Sequence, residues 1–275
     1  MITKTIEMDT GVNTIIAGAC AHIGNRNMHE EGFAKFIERC KANRWLHLGD
    51  LLEAITPDDP RFHMDEHKQS ILQQAKFAVD QISEASDTCM GLITGNHERK
   101  LSRKVGCITD HMAKLAEVPS LGDTAVMIFS FPDAQYTGFF AHGSGYLGAN
   151  SNEPERNRTN LKIRLRNKLR PFHYDIRGIA HFHREVIAEP VYERRLTLVG
   201  IETKMRPVHV QDNWAFTCPS MFRNYTEHGS YAEAALYGPT ELGWIEFDVD
   251  STGIKCVRHV DEEGITKREE YPQVY

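Results

Sequence analysis

Short apolar runs alternate with stretches of helical spacing over the first two thirds of the chain. The runs have the length of strands buried in a sheet, and each is followed by small or polar residues. Between the early runs, apolar residues at helical spacing form two stripes, from Phe33 to Cys40 and from Ile71 to Ile82. Strands that alternate with helices indicate βαβ units and a sheet covered on both faces. The runs predicted to be buried strands are residues 13–18, 45–48, 90–94, 136–141 and 175–180.

After residue 184 the pattern changes to β-like runs that follow one another. These runs are residues 196–201, 214–217, 243–249 and 254–260, and the turn-rich link 250–253 predicts a hairpin between the last two. No internal repeat, low-complexity tract or linker interrupts the sequence, which favours one continuous domain over residues 1–275. The sequence therefore predicts an α/β fold of layered sheets with helices outside, in which the C-terminal part completes the second sheet.

The composition is that of an ordinary globular protein, with 41% hydrophobic and 25% charged residues among 275. A net charge of -6 argues against a generally basic protein that coats nucleic acids, although a local basic patch stays compatible with it. No apolar run approaches the roughly 18 residues that a membrane-spanning helix needs. The N-terminus lacks an apolar signal segment, and the six cysteines form no CxxC pair. We therefore expect a cytoplasmic protein with reduced thiols and no membrane association.

Each of the five predicted strands runs directly into residues of metal-binding type. Because the carboxyl ends of strands in open α/β sheets meet at one crevice, we expect these side chains to converge. Residues two apart in an extended chain point the same way, so each Cys-x-His or His-x-His pair can face one pocket. Taken singly, a Gly-Asp pair is usually a turn or cap and a His-x-His pair is often structural, but five in order indicate a metal site. The five segments are Cys20-Ala21-His22, Gly49-Asp50, Gly95-Asn96-His97-Glu98, His142-Gly143 and His181-Phe182-His183.

This order of segments resembles the calcineurin-like metallophosphoesterases, whose pattern reads DxH, GD, GNH[ED], H and GHxH. The likeness spans residues 18–183 and implies a four-layer αββα sandwich of two mixed sheets flanked by helices, with a dinuclear metal site. It implies that His97 is not a ligand but donates a proton or hydrogen bond to the leaving group. By the same resemblance, one metal takes Cys20, His22, Asp50 and His183, and the other takes Asp50, Asn96, His142 and His181.

The chemistry of phosphate-ester hydrolysis suits these residue types. Two cations roughly 3.5–4 Å apart polarise the phosphoryl oxygens and activate water. A carboxylate with two lone-pair-bearing oxygens can bridge them, which suits Asp50 as a catalytic as well as a ligating residue. Neutral imidazoles fill the other positions without cancelling the charge of the metals. Glu98 is expected to orient a neighbouring ligand or His97; the alternative is an acid in the first turn of a helix, favoured by the helix dipole.

The sequence departs from the family pattern at Cys20, where the pattern has Asp, and at Ala180, where it has Gly. A thiolate is softer than a carboxylate and favours zinc or iron, with manganese also compatible. The same Cys-for-Asp exchange is a feature of lariat-debranching enzymes, which cleave 2′–5′ phosphodiester bonds in branched RNA. The alternative is that Cys20 weakens one metal site and leaves a mononuclear or damaged enzyme. A protein-phosphatase role is disfavoured because Asp50 is followed by Leu-Leu-Glu and not by the Asp-Arg-Gly of those enzymes.

Cationic residues after the fourth segment suggest contact with a polyanion. Residues 156–170 predict an amphipathic helix with Arg158, Lys162 and Arg166 on its cationic face, and Arg99 belongs to a second cationic cluster beside His97. Such residues at the rim of the crevice would attract a nucleic acid, whereas the alternative is a solvated helix face. The loop 143–153, rich in Gly and Asn, is expected to be mobile beside the metals. Aromatic residues that would stack bases, but are more typical of a core, are Trp214, Phe216, Phe222, Tyr225 and Tyr231.

The leading hypothesis is a metal-dependent phosphodiesterase or nuclease that acts on a nucleic acid or nucleotide. A phosphomonoesterase is the nearest enzymatic alternative. The alternative of another class is a non-catalytic binding module with the same fold. The partner is then a phosphate ester, with nucleic acid among the candidates, and the oligomeric state is left open.

Overall fold

The structure is a computed structural model that describes residues 1–67, 69–149, 151–199, 202–227, 229–236 and 238–267. Over 192–199 and 202–211, and at Tyr231, it describes the backbone. The helices are α1 Glu30–Cys40, α2 Ile71–Ser83, α3 Asn96–Val105, α4 Ile108–Leu115, α5 Pro154–Leu169 and α6 Tyr231–Ala234. The strands are β1 Ile2–Glu7, β2 Asn13–Gly18, β3 Arg44–His47, β4 Cys89–Leu92, β5 Thr124–Ser130, β6 Gln135–Ala141, β7 Ile176–Ile179, β8 Val186–Ala188, β9 Val191–Val199, β10 Glu202–Asp212, β11 Trp214–Thr217, β12 Trp244–Asp250, β13 Gly253–Val260 and β14 Thr266–Lys267.

In the described part of the chain, two six-stranded sheets pack face to face. The first has the order β1-β5-β6-β7-β11-β8 and the second the order β14-β13-β12-β2-β3-β4. Each sheet is mixed: β6, β7 and β11 are parallel in the first, and β2, β3 and β4 are parallel in the second. Their inner faces share one apolar core, to which the first sheet gives Phe140 and Phe216 and the second gives Ile15 and Phe247.

Helices cover the outer face of each sheet. On the second sheet, apolar residues of α1, α2 and α4 pack against Ile16 and Trp45, which alternate with inward-facing neighbours along their strands. On the first sheet, the buried leucines of α5 pack against Phe139 and Ile179. The helix–sheet–sheet–helix order confirms the predicted α/β fold of two mixed sheets flanked by helices.

The strand predictions for the site-bearing segments are confirmed, with boundaries displaced by one or two residues. The predicted run 45–48 is β3 Arg44–His47, for example, and the run 90–94 is β4 Cys89–Leu92. The hairpin at 250–253 is formed, with β12 and β13 antiparallel and Asp250 opposite Gly253.

Three strands of the first sheet, β1, β5 and β8, were not predicted from the sequence. β1 pairs with β5 at the edge of the sheet and buries only Ile6, so its pattern is mostly polar. The apolar run of β5 is typical of a strand buried on both faces.

The β-like runs after residue 184 divide among three groups. β8 and β11 join the first sheet, and β12, β13 and β14 join the second. Among the described strands, β9 and β10 pair with each other in a separate antiparallel ladder. The predicted run 196–201 falls in β9 up to Val199, and its last two residues lie outside the described residues.

Candidate metal centre

The carboxyl ends of the central parallel strands of both sheets meet at one place. Cys20 and His22 follow β2, Asp50 follows β3, and Asn96 opens α3 after β4. From the other sheet, His142 follows β6, and His181 and His183 follow β7. All seven predicted ligand residues therefore lie at the same edge of the sandwich.

Backbone hydrogen bonds fix neighbouring segments of this edge to one another. The Cys20 amide donates to the Gly49 carbonyl at 2.9 Å, and the His22 amide donates to the Asp50 carbonyl at 3.1 Å. On the first sheet, the Ala180 amide donates to the His142 carbonyl at 2.9 Å. These bonds extend the parallel pairing beyond the strands, so the ligand-bearing segments stay in register.

Two groups of side chains that share Cys20 could each hold a metal ion. Cys20, His22 and His183 form one, and Cys20, Asp50 and His142 form the other, with the ligand atoms of each group within 4.8 Å of one another. A third group, His22, Glu53 and His97, has its ligand atoms equally close. The Asn96 Oδ1 lies 2.9 Å from His142 Nε2 and 2.7 Å from His181 Nδ1, and His142 Nε2 lies 3.0 Å from Asp50 Oδ2. Cys20 is common to the first two groups, whereas the bridging role of Asp50 stays a prediction.

The imidazole rings present lone pairs to the interior of the site. His22 Nδ1 donates to Glu53 Oε2 at 2.7 Å, so its Nε2 lone pair faces His183 Nε2 at 3.2 Å. His142 Nδ1 donates to the Leu48 carbonyl at 2.7 Å, so its Nε2 faces the oxygens of Asp50 and Asn96. Electron pairs this close repel one another unless a proton or a metal cation lies between them. Rings whose outer N–H is held by an oxygen are the usual arrangement at metal sites, so the residues fit a bound metal.

Five of the seven predicted ligands have a left-handed backbone, which non-glycine residues rarely adopt. The φ angles are +52° at Cys20, +51° at His22, +51° at Asp50, +77° at His181 and +50° at His183. Each costs roughly 1–2 kcal/mol relative to a right-handed conformation. A strained backbone persists only where the surrounding structure enforces it, and strained residues are common at functional sites.

Glu98 ties the start of α3 to the segment that carries Asp50. Its carboxylate accepts hydrogen bonds from the amides of Gly95 at 3.0 Å, Asp50 at 3.2 Å and Leu52 at 2.8 Å. Burial, with the charge of Asp50, raises the pKa of Glu98 to about 7. The carboxyl group thus caps the helix and contacts the Asp50 segment, whereas its role in orienting a ligand stays a prediction.

His97 stands beside the ligands without belonging to either group that contains Cys20. Its Nδ1 donates to the Glu53 carbonyl, and its Nε2 accepts from Arg61 Nη1 at 3.2 Å. Asp59 holds the Arg61 guanidinium with both carboxylate oxygens, at 3.0 and 2.9 Å. His97 packs edge-on against His22, with ring centroids 4.8 Å apart.

Sequence reasoning missed Glu53 and Arg61. The fully buried Glu53 carboxylate accepts from His22 and from His67 Nε2 at 3.2 Å. Burial alone would raise its pKa, but the hydrogen bonds from His22 and His67 hold the pKa of Glu53 well below its usual range. The position of Glu53 three residues after Asp50 was a readable signal, whereas nothing in the segment around Arg61 indicated a contact with His97.

Burial and mutual charge shift the titration of the ligands. The pKa of Asp50 lies well below its usual range, because the neighbouring His142 and His97 outweigh the effect of burial. Burial and the Asp50 charge raise the pKa of the Cys20 thiol. Burial and His142 lower the pKa of His181 to about 4, which keeps this ring neutral at physiological pH. A bound cation lowers the pKa of a coordinating thiol and reverses the tendency of Cys20.

A cavity of about 560 Å³ opens above the candidate ligands. His22, Asp50, Asn96 and His183 form its floor, and Arg61 and Tyr146 stand on its walls. Tyr146 is 83% exposed and belongs to the predicted loop 143–153. We call this space the site cavity.

The predicted substrate-binding cations of α5 contact acidic groups beside β8. Lys162 Nζ pairs with Glu189 at 2.6 Å, Arg166 donates to the Glu189 carbonyl at 2.7 Å, and Arg158 lies 3.9 Å from Glu185. None of the three is among the described residues that line the site cavity. Their role in substrate binding stays a prediction.

The aromatic residues considered for base stacking divide by burial. Trp214, Phe216 and Phe222 are buried, whereas Tyr225 is 46% exposed. The side chain of Tyr231 lies outside the described residues. The buried three belong to the interior, which is the more typical place for such residues.

Among the described residues, no helix combines the length and the apolar character needed to cross a membrane.

No known family model matches the sequence, and no curated protein matches it. Among solved structures, the phosphoesterase YfcE from E. coli is 14% identical with a TM-score of 0.44, over 93% of this chain and 97% of that one. The Vps29 double mutant from Entamoeba histolytica is 10% identical with a TM-score of 0.41, over 95% and 99%. A predicted phosphoesterase from Streptococcus pneumoniae TIGR4 is 11% identical with a TM-score of 0.36, over 96% and 95%. At these identities and scores, the likeness assigns neither a family nor an activity to this chain.

Proposed function

We propose that this protein is a metal-dependent phosphoesterase of the calcineurin-like superfamily, and that it cleaves a phosphodiester bond of a nucleic acid or nucleotide. One observation carries the proposal: the carboxylate, thiol, amide and imidazole groups of five strand ends meet with their lone pairs facing inward. The motif order of the sequence and the two-sheet fold support it independently.

In this proposal Cys20, His22, Asp50 and His183 hold one metal ion, and Asp50, Asn96, His142 and His181 hold a second. Bound divalent cations neutralise charge on the phosphoryl oxygens and make a water molecule a stronger nucleophile. The Cys20 thiolate favours zinc or iron, with manganese as the third candidate.

The protein's own acid–base group is His97. Its Nδ1 donates to the Glu53 carbonyl, so Nε2 is the nitrogen left for proton transfer; Nε2 accepts from Arg61 here and would carry the proton for the leaving-group oxygen once Arg61 contacts the phosphate instead. The Glu53 carboxylate lies 3.9 Å from His97 Nδ1. Arg61, clamped by Asp59, adds a fixed positive charge to the wall of the site cavity and attracts the non-bridging phosphate oxygens.

Hydrolysis of two matched chromogenic substrates tests the proposal. Bis(p-nitrophenyl) phosphate is a diester and p-nitrophenyl phosphate is a monoester; both are assayed with zinc, iron(II) or manganese after metal removal. We expect metal-dependent turnover that prefers the diester. Asp50→Asn should abolish it, and His97→Ala should lower kcat by roughly 10²–10⁴-fold while bound metal is retained.

The control for these variants is His173→Ala, since His173 is exposed and lies outside the site. Faster turnover of the monoester would show that the protein is a phosphomonoesterase and not a phosphodiesterase. Bound metal without turnover of either substrate would favour the non-catalytic binding module. Failure to bind any of the three metals would overturn the proposal itself.

A further inference from the structure

A second cavity, of about 570 Å³, lies beside the candidate metal centre. We call it the flank cavity. Its volume falls within the roughly 300–1,000 Å³ range of pockets that bind small organic ligands. Two of the predicted ligands, Asn96 and His142, form part of its lining, and Asn96 also lines the site cavity. A phosphoester whose phosphate lies at the metal centre can therefore extend past Asn96 into the flank cavity.

The inner wall of the flank cavity is apolar and partly aromatic. Leu169 at the end of α5, Ile179 at the end of β7, and Phe139 and Phe172 line it. Phe172 is half-buried and stacks on the buried Phe139 ring, with centroids 4.1 Å apart and planes 10° from parallel. A planar ring held in place by a parallel neighbour is a preorganised platform for stacking another planar group.

The rim of the flank cavity is polar and positively charged. Arg99, in the first turn of α3, pairs with Asp123, and Lys168, in the last turn of α5, donates to the Ser144 carbonyl at 2.8 Å. The lining thus contains two cations and one acid, a net positive charge that complements an anionic ligand. The Thr124 hydroxyl can donate or accept a hydrogen bond at the edge of a heterocycle.

We propose that the flank cavity binds a nucleobase of the substrate. This base belongs to the ester group that stays bonded to phosphorus when the leaving group departs. This inference rests on the proposed function and names the substrate class: esters of a nucleotide. The apolar wall takes the face of the base, and Arg99 and Lys168 attract the phosphate.

The test compares two substrates with the same leaving group. Thymidine 5′-(p-nitrophenyl phosphate) carries a base on the remaining part of the ester, and methyl p-nitrophenyl phosphate carries none. Thr124→Phe fills the flank cavity without removing an apolar wall residue, and Phe172→Leu removes the ring but keeps the wall apolar. Each should raise KM for the thymidine ester by roughly tenfold and leave KM for the methyl ester within about twofold.

Arg99→Gln should raise KM for both esters, because both carry the phosphate, whereas Arg103→Gln on the same helix, exposed and outside both cavities, should raise neither. Equal losses on both substrates in Thr124→Phe and Phe172→Leu, or no change on either, would overturn the inference. Circular dichroism and thermal unfolding of each variant identify any that fail to fold. A variant that fails to fold is excluded, and the KM values of the folded variants test the inference.

A binding measurement separates this inference from the proposed function. Saturation-transfer NMR with thymidine 5′-monophosphate and metal-free wild-type protein should give the strongest transfer to the base protons, and Thr124→Phe should abolish it. If the protein binds thymidine 5′-monophosphate but hydrolyses neither ester, the proposed function is wrong and the base-binding inference still holds. Absence of transfer, or equal transfer in Thr124→Phe, would sink the inference even if hydrolysis is found.

Discussion

At the scale of single residues, hydrogen bonds to the outward-facing nitrogens orient the imidazole rings of the candidate metal centre. His22 is held by the Glu53 carboxylate and His142 by the Leu48 carbonyl, each at 2.7 Å. Such outer hydrogen bonds fix the tautomer and direct the free nitrogen inward. Glu53 makes the most of these contacts. Its carboxylate accepts hydrogen bonds from His22 and His67, and its backbone carbonyl accepts one from His97.

Replacement of Glu53 by Gln tests this orienting role. An amide keeps the size of the carboxyl group but offers one acceptor oxygen where two N–H donors now bind. Glu53→Gln should therefore weaken metal binding by roughly 10–100-fold. Competition with a metallochromic chelator measures the affinity, and Glu155→Gln on the exposed face of α5 is the control. Unchanged affinity would show that the His22 orientation does not depend on the charge of Glu53.

At the scale of secondary-structure elements, a charge network joins α1 to the hairpin of β12 and β13. Glu246 accepts from Arg39 at 2.8 Å and from Arg258 at 2.9 Å, and Arg258 also donates to Asp248 at 2.9 Å. Burial opposes the charge of Glu246, but its bonds to Arg39, Trp244 and Arg258 outweigh burial and lower its pKa. The network therefore stabilises the fold while Glu246 is ionised.

The pH dependence of this contribution has a definite sign. The folded-state pKa of Glu246 lies below the unfolded value of about 4.3, so its stabilisation is present above that value and is lost as the pH falls through the folded pKa. Glu246→Gln should lower the free energy of unfolding at pH 7 by about 1.5–3 kcal/mol. Urea unfolding at pH 7 and pH 3.5 measures it, and the difference from wild type should shrink at the lower pH. A difference that stays constant would contradict the assignment.

The attachment of α5 to the first sheet gives a second prediction at this scale. Leu165 is fully buried and packs with the cluster that contains Phe139 and Ile179. Leu165→Ala should cost about 2–5 kcal/mol of unfolding free energy, from lost burial and the cavity left behind. Ile163→Ala on the same helix, at a residue 47% exposed, should cost much less in the same urea titration. Similar losses for both variants would contradict the packing of this helix.

At the scale of the whole molecule, the candidate metal centre joins the two sheets. Cys20, His22 and Asp50 come from the second sheet, whereas His142 and His181 come from the first. A bound metal therefore links two layers that otherwise meet through their shared apolar core. A ligand that binds only the folded state stabilises it, so filling the centre should stabilise the whole fold.

Metal removal and return measure this link. A free metal concentration of about one hundred times Kd stabilises the folded state by about 2.7 kcal/mol. For a chain of this size, that should raise Tm by roughly 5–10 °C over the chelated protein in differential scanning calorimetry. Asp50→Asn should remove most of the shift. An equal shift in that variant would place the metal elsewhere.

Residues that lie close in sequence carried the successful predictions. The segments around Cys20, Asp50 and Asn96 each show a strand, a turn and a ligand-type side chain within a few residues, which a linear pattern displays. The edge strand β1 was missed because it buries only Ile6 and shows little periodicity. The contacts of Arg158 and Lys162 were beyond the sequence, since a cationic helix face looks the same whether it meets a ligand or the protein's own carboxylates.

The sequence by itself determined which strand ends carry side chains of ligand type, because strand order and side-chain alternation are local properties of the chain. Only the tertiary structure decided that the Glu53 side chain orients His22, that Arg61 contacts His97, and that a flank cavity opens beside Asn96. These features arise where the two sheets and their connecting segments pack together. Distances between segments far apart in sequence depend on packing and not on any local pattern.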